Sequence, residues 1–234
     1  MANLLAIDTS TAWCSVALSL GEQSPELRHE AVSAGASQLL LPWIEFLLSN
    51  AKITLKDLDA IAVGVGPGAF TGVRLGVAAV QGLAISNNLP TISVCSLDAI
   101  AAQLIKTSAY QKAMPRYFVI AVDARMEEIY WAKYETQSDQ LPKRIGDIQL
   151  TKPENIDLQD VDFLAGSAIN AYRERLPNFT GCLDSEITLS ALGVLDCAKQ
   201  FFAQGMQQDV HQLEPLYVRN KVALTTAERE EVFK

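Results

Sequence analysis

Leu4-Leu5-Ala6-Ile7-Asp8-Thr9-Ser10-Thr11 is an apolar run that stops at a carboxylate and passes into a hydroxyl-rich turn. Four consecutive apolar residues without alternation read as a strand buried on both faces. Cys14-Ser15-Val16-Ala17-Leu18-Ser19-Leu20 then reads as the return strand of a hairpin. The pattern comes back 115 residues later. Phe118-Val119-Ile120-Ala121-Val122-Asp123 is again an apolar strand ending in Asp, Ala124 and Arg125 make the turn, and Ile129-Tyr130-Trp131-Ala132-Lys133-Tyr134 returns. Ala6-Ile7-Asp8 thus matches Ala121-Val122-Asp123 in a chain of 234 residues. This repeat predicts two related α/β lobes with a cleft between them.

The flanking segments fit that plan. A third strand is expected over 26–32 and a helix over 36–49, where Leu39, Leu40, Trp43, Ile44, Leu47 and Leu48 recur at helical spacing. Pro42 should kink that helix or restart it. Ala60 to Val65 reads as a buried strand, 71–86 as a helix rich in small residues, and Thr91 to Cys95 as a short strand. Phe163-Leu164-Ala165-Gly166-Ser167 echoes the earlier strand and glycine turn, and a further helix is expected near 189–204. Residues 106–116 read as the crossover between lobes. Residues 136–160, with Pro142 and Pro153, read as a loop-rich insertion. The charged stretch from Thr225 onward is expected to fray.

Composition narrows the function classes. Hydrophobic residues make up 49% and charged residues 20%, which excludes wholesale disorder. Twenty-seven acidic against 19 basic residues give a net charge of −8, which disfavours unaided tight binding to nucleic acid or an anionic membrane. The first residues lack the basic segment of a signal peptide, and no uncharged apolar run approaches the roughly 18 residues of a membrane span. Cys14, Cys95, Cys182 and Cys197 form no C-x-x-C pair, and His29 and His211 complete no zinc signature. The cysteines are expected to be reduced and packed as small hydrophobes in a cytoplasmic protein.

The densest local signal is Gly64-Val65-Gly66-Pro67-Gly68-Ala69-Phe70-Thr71-Gly72-Val73-Arg74-Leu75-Gly76, which holds five of the 13 glycines. It follows a predicted strand and opens a predicted helix, where backbone N–H groups favour an anion. It lacks the Walker A lysine, and Ala69 breaks a G-x-G-x-x-G pattern, so a structural turn and a phosphate cradle stand equally open. Asp8 at its strand end suits a hydrated Mg²⁺, and Thr9 and Ser10 could join phosphate contacts. Asp123, beside Arg125, is expected to cap its own turn. Along the following helix, Gly72, Gly76, Ala79 and Gly82 imply that another backbone comes close. That backbone is either the chain's own sheet or a second protein. No G-x-S-x-G elbow and no histidine-based triad context are visible.

Four blocks carry a resemblance from end to end: Ala6-Ile7-Asp8-Thr9-Ser10-Thr11, Gly66 to Gly76, Val122-Asp123-Ala124-Arg125-Met126-Glu127-Glu128-Ile129-Tyr130-Trp131-Ala132, and Pro215-Leu216-Tyr217-Val218-Arg219. In this order they resemble the TsaB (YeaZ) family of bacterial tRNA threonylcarbamoyladenosine (t6A) biosynthesis proteins. The resemblance implies an α/β fold of two duplicated ribonuclease-H-like lobes, that of the actin-like ATPase (ASKHA) superfamily. The first lobe would span 1–105, the second 106–215, and a C-terminal tail over 216–234 would return to the first lobe.

The resemblance also implies a role. TsaB-like proteins are similar to TsaD, which transfers threonylcarbamoyl from threonylcarbamoyl-AMP to N6 of adenosine 37 in tRNA. TsaD holds a metal through an H-x-x-x-H pair on its early helix, and the matching positions here are Ala36 and Leu40, which cannot bind one. The chain is therefore expected to be a non-catalytic partner that binds and activates TsaD, supports recruitment of TsaE, self-associates as a dimer when alone, and meets tRNA only through the complex, with no membrane. The expected interface is Leu39, Trp43, Gly72, Gly76, Ala79 and Val80, and Gly76→Leu is expected to weaken pairing without harming the fold. No cofactor is required. Weak ATP or ADP binding with Mg²⁺ stays open at Asp8, Thr9, Ser10, Gly66, Pro67 and Gly68. An ATP-dependent phosphotransferase is the alternative reading.

Overall fold

The computed structural model describes residues 2–32, 35–138 and 140–219. The charged stretch from Thr225 onward, and with it most of the expected tail, lies outside the described residues. Two five-stranded mixed sheets are present. The first contains β1 (Leu4–Asp8), β2 (Trp13–Ser19), β3 (Glu26–Ala31), β4 (Ala60–Gly66) and β5 (Thr91–Cys95), in the order β3-β2-β1-β4-β5. The second contains β6 (Tyr117–Asp123), β7 (Ile129–Glu135), β8 (Lys143–Thr151), β9 (Phe163–Ala165) and β10 (Cys182–Asp184), in the order β8-β7-β6-β9-β10.

The two sheets repeat one another strand for strand. In each, the first three strands form an antiparallel meander. In each, the first strand also pairs in parallel with the fourth, and the fourth with the fifth. The α/β fold of two duplicated lobes expected from the repeat is the fold observed.

Parallel neighbours need a crossover, and helices supply it. Helix α1 (Ala36–Asn50) joins β3 to β4, and α2 (Phe70–Asn87) joins β4 to β5. The short α5 (Ala168–Ala171) lies between β9 and β10. Helix α1 runs through Pro42 as one element, with the proline on its exposed face.

Strand alternation divides the interior. Leu5 and Ile7 face an outer core beneath α1 and α2, with Leu40, Ile44, Leu47, Val73, Val77 and Val80. Leu4 and Ala6 face a central core shared with the second sheet through Phe118, Ile120, Tyr134 and Phe163. Helices α3 (Ser96–Leu104) and α6 (Ala191–Ala203) fill this shared layer. A β-carbon on Gly193 of α6 would overlap the Ala99 carbonyl of α3, so the two backbones are in contact. A third core packs Val119, Ala121 and Ile129 against Ala168 and Ile169 of α5. Across the shared layer, Asp98 of α3 pairs with Arg144 of β8 at 3.0 Å and accepts the Tyr134 hydroxyl at 2.8 Å.

Three expectations change. The loop-rich insertion expected over 136–160 contains β8, the nine-residue edge strand of the second sheet. The crossover at 106–116 contains a helical turn, α4 (Ser108–Ala113). Cys14 and Cys197 are buried as expected, but Cys182 is exposed on the edge strand β10. All four cysteines are free thiols. Among the described residues no helix is long and apolar enough to cross a membrane.

Candidate functional site

The end of β1, the 9–12 turn, the glycine block after β4 and the start of α2 meet at one place. Asp8, Thr9 and Ser10 are buried there, with Asp8 wholly inaccessible. Ser10 holds the Asp8 carboxyl from two sides, through its amide to Oδ1 (3.0 Å) and its hydroxyl to Oδ2 (3.0 Å). The Ser10 hydroxyl also meets the Ser96 hydroxyl at 3.1 Å. Gly64 lies against the carboxyl, and a β-carbon there would overlap Asp8 Oδ2. Burial pushes the Asp8 carboxyl up to about 7, against the opposing pull of the Ser10 amide and hydroxyl.

The glycine block closes over the same turn. The Ala69 amide donates to the Ser10 carbonyl at 2.6 Å, and the Thr9 hydroxyl donates to the Gly72 carbonyl at 2.7 Å. β-Carbons on Gly68 and Gly72 would overlap the carbonyl oxygens of Ser10 and Thr9. The glycines therefore let the start of α2 touch the backbone of the 9–10 turn. The structure brings Asp8, Thr9, Ser10, Gly66, Pro67 and Gly68 together as the sequence suggested. Around Asp8, Thr9 and Ser10 the space is filled with the chain's own atoms, while Pro67 and Gly68 border the cavity between the lobes. Mg²⁺ does not fit at Asp8 as placed: both carboxyl oxygens are engaged by Ser10, and no water-accessible edge remains. Among the described residues no cluster of three His, Cys, Asp or Glu is arranged to hold a metal.

Asp123, the counterpart of Asp8 in the second lobe, caps its own turn. It accepts the Arg125 amide and the Tyr172 hydroxyl, each at 2.8 Å, and pairs with the Arg125 guanidinium at 3.1 Å. Residues 215–219 lie across the opening between the lobes, over a cavity of about 220 Å³ bordered by Phe70, Val73, Met126 and Tyr130. No sequence motif marks Ser96 or the contact of Arg74 with Tyr217 (2.7 Å). Neither sits near its partner in sequence.

The small-residue helix faces inward where a partner was expected. Val80 and Gly76 are buried, and a β-carbon at Gly76 would press on the Thr9 hydroxyl (2.9 Å) and Val63 (3.4 Å). Gly72 meets the Thr9 carbonyl. These three serve the chain's own packing, so Gly76→Leu would strain the fold. The outward stripe of α2 is instead Ala78, Gly82 and Ile85; Gly82 has nothing within 4 Å of its would-be β-carbon, and Ile85 is 58% exposed. Leu39, Trp43 and Ala79 are half-buried at the rim of the outer core.

Comparison with known proteins agrees with this architecture. Residues 29–225 match the family model described as TsaD, tRNA N6-adenosine threonylcarbamoyltransferase. The tRNA threonylcarbamoyladenosine biosynthesis protein TsaB of Escherichia coli is 34% identical over 94% of this chain and 96% of its own length. The TsaB of Haemophilus influenzae is 35% identical over 94% of both. The chain belongs to the TsaB (YeaZ) family. The solved structure of YeaZ from Pseudomonas aeruginosa superposes with a TM-score of 0.82 at 36% identity, covering 93% of this chain and all of that one. A second structure from that organism, an uncharacterized protein described as similar to peptidase YEAZ, gives 0.83 at 37% identity, with 94% and 100% covered.

The peptidase wording has one echo in this TsaB-family chain. His29 Nδ1 lies 3.0 Å from Ser15 Oγ, with the ring stacked on Trp13. Ser15 is wholly buried, and its oxygen accepts the Ala191 amide at 2.8 Å, so it pins α6 to the first sheet and presents no nucleophile to solvent. The helix that would carry a metal pair presents Ala36 and Leu40, and Leu40 is part of the outer core.

Proposed function

We infer that this chain is an accessory subunit of tRNA threonylcarbamoyladenosine synthesis. It docks on TsaD, activates it, helps to recruit TsaE, and performs no transfer itself. The observation that carries this reading is identity spread over almost the whole length of proteins named for that biosynthesis. The state of the Asp8 cluster supports the non-catalytic part. A carboxyl closed off by Ser10 and Gly64, and half-protonated near neutrality, is suited to holding a turn and not to holding a metal. No cofactor is needed for such a role. The docking face in this reading is the outer side of α1 and α2, from Leu39 and Trp43 to Ala79 and the Ala78–Gly82 stripe. Small residues there would let a partner helix approach closely. The same face would serve a homodimer when TsaD is absent, and tRNA would be met through the complex.

The test is reconstituted threonylcarbamoylation of tRNA from TsaD, TsaE and threonylcarbamoyl-AMP, with and without this chain. Product that depends on the chain, with none from the chain alone, is the expected result. Full product without it, or transfer by it unaided, overturns the reading.

A second reading, ATP-dependent phosphotransfer with weak ATP or ADP binding, draws on one observation. The six residues suited to phosphate contact do converge, at the start of a helix with no side-chain cap. Steady ATP turnover by the purified chain, abolished by changes at Gly68, would favour it.

A further inference from the structure

Residues 213–219 bond to elements of both halves of the molecule. On the first-lobe side, Gln81 donates to the Leu213 carbonyl and the Leu216 amide donates to the Val65 carbonyl, each at 2.8 Å. Arg74 donates to the Tyr217 hydroxyl at 2.7 Å, its guanidinium lying 3.3 Å from the Phe70 ring centre and 5.1 Å from that of Tyr217. On the second-lobe side, Arg219 donates to the Ala124 carbonyl at 3.0 Å and pairs with Glu128 at 2.9 Å. Its side chain is only 13% exposed.

The turn that Arg219 grips is strained. Arg125, Met126 and Glu127 have φ of 60°, 54° and 60°, three successive residues in the left-handed region, none of them glycine. Such a run persists only where its surroundings hold it. Arg219 bonds the carbonyl just before the run and the side chain just after it, so one guanidinium anchors both ends. The lobes as a whole are joined elsewhere, by the core around α3 and α6. What residues 213–219 add is a link between two particular elements.

We propose that residues 213–219 form a strap that couples the first turns of α2 to the second-lobe turn Ala124–Glu128, with Tyr217 anchored to Arg74 at one end and Arg219 to Glu128 at the other. Such coupling is reciprocal: loosening either anchor loosens the element at the other. It holds whatever meets α2.

Amide hydrogen exchange on the full chain tests it, with Arg219→Met and Arg74→Met. The informative amides are Leu216, bonded to Val65, and Ala124 and Glu128, bonded to Glu128 and Arg125 carbonyls. Arg219→Met should speed exchange at Leu216 by about tenfold, and Arg74→Met should do the same at Ala124 and Glu128 in the opposite lobe. If each variant changes only the amides at its own anchor, the strap does not couple the two. Should Arg219→Met fail to fold, Glu128→Gln removes the ion pair at the same anchor, and the same cross-lobe readout at Leu216 decides.

Discussion

Gly64 and Asp8 are in such close contact that a β-carbon at residue 64 would overlap the Asp8 carboxyl oxygen. The two residues sit on paired parallel strands, and the missing side chain is what allows a carboxyl to be sealed beneath the sheet end. That seal sets the Asp8 titration. Its pKa rises from 3.8 to about 7 because burial penalises the charged form. With the folded value above the unfolded one, the native state holds the extra proton between these limits. Stability from this group is therefore full below pH 4 and is lost as pH rises to about 7. Asp8→Asn should remove that dependence. Relative to the parent, the variant should gain on the order of 4 kcal/mol on going from pH 4 to pH 8, read from denaturant melts at both values. Equal pH profiles would mean Asp8 is ionised in the folded state.

The glycines of α2 divide into two kinds. Gly72→Ala places a methyl group on the Thr9 carbonyl and should cost about 1–3 kcal/mol. Gly82→Ala meets open space and should gain up to about 1 kcal/mol from helix propensity. Urea denaturation of the two variants checks the contrast. Two alanines with the same effect would contradict the inward and outward assignment.

Ala78 is exposed on the outward stripe. Ala78→Arg should leave the melting temperature within a degree or two and weaken pairing with TsaD at least about tenfold, or 1.4 kcal/mol. Titration calorimetry measures it. Unchanged affinity would place the docking face elsewhere.

Arg144→Met takes the cation from the largely buried Asp98 at the junction of the sheets and leaves the carboxylate with the Tyr134 hydroxyl. Because the pair is partly solvent-exposed, the expected loss is about 1–3 kcal/mol, less than for a fully buried pair. A double-mutant cycle with Asp98→Asn should show coupling; additive losses would rule out a functioning pair.

Much of the fold was legible because β1 and β6 each present an unbroken apolar run ending in Asp, which only a doubly covered central strand satisfies. Strand β8 was not. Its Lys143-Arg144-Ile145-Gly146-Asp147 start is the polar, glycine-broken sequence of a sheet edge, indistinguishable from a loop without its neighbour. Helix α3 was not legible either, because Ser96–Leu104 follows directly on β5 with no turn residue between them and is buried nearly all round. At the site, the residues grouped from the sequence lie near one another around the end of β1. The sequence did not reveal which way Gly72 and Gly76 point, because a glycine at helical spacing fits a sheet beneath as well as a partner above.

The most direct test of the accessory reading is threonylcarbamoylation of tRNA by TsaD and TsaE with the Asp8→Asn chain in place of the parent. A non-catalytic subunit whose Asp8 only holds a turn should support modification to the parent's level. A folded Asp8→Asn chain that pairs with TsaD yet gives no product would mean that Asp8 takes part in the chemistry.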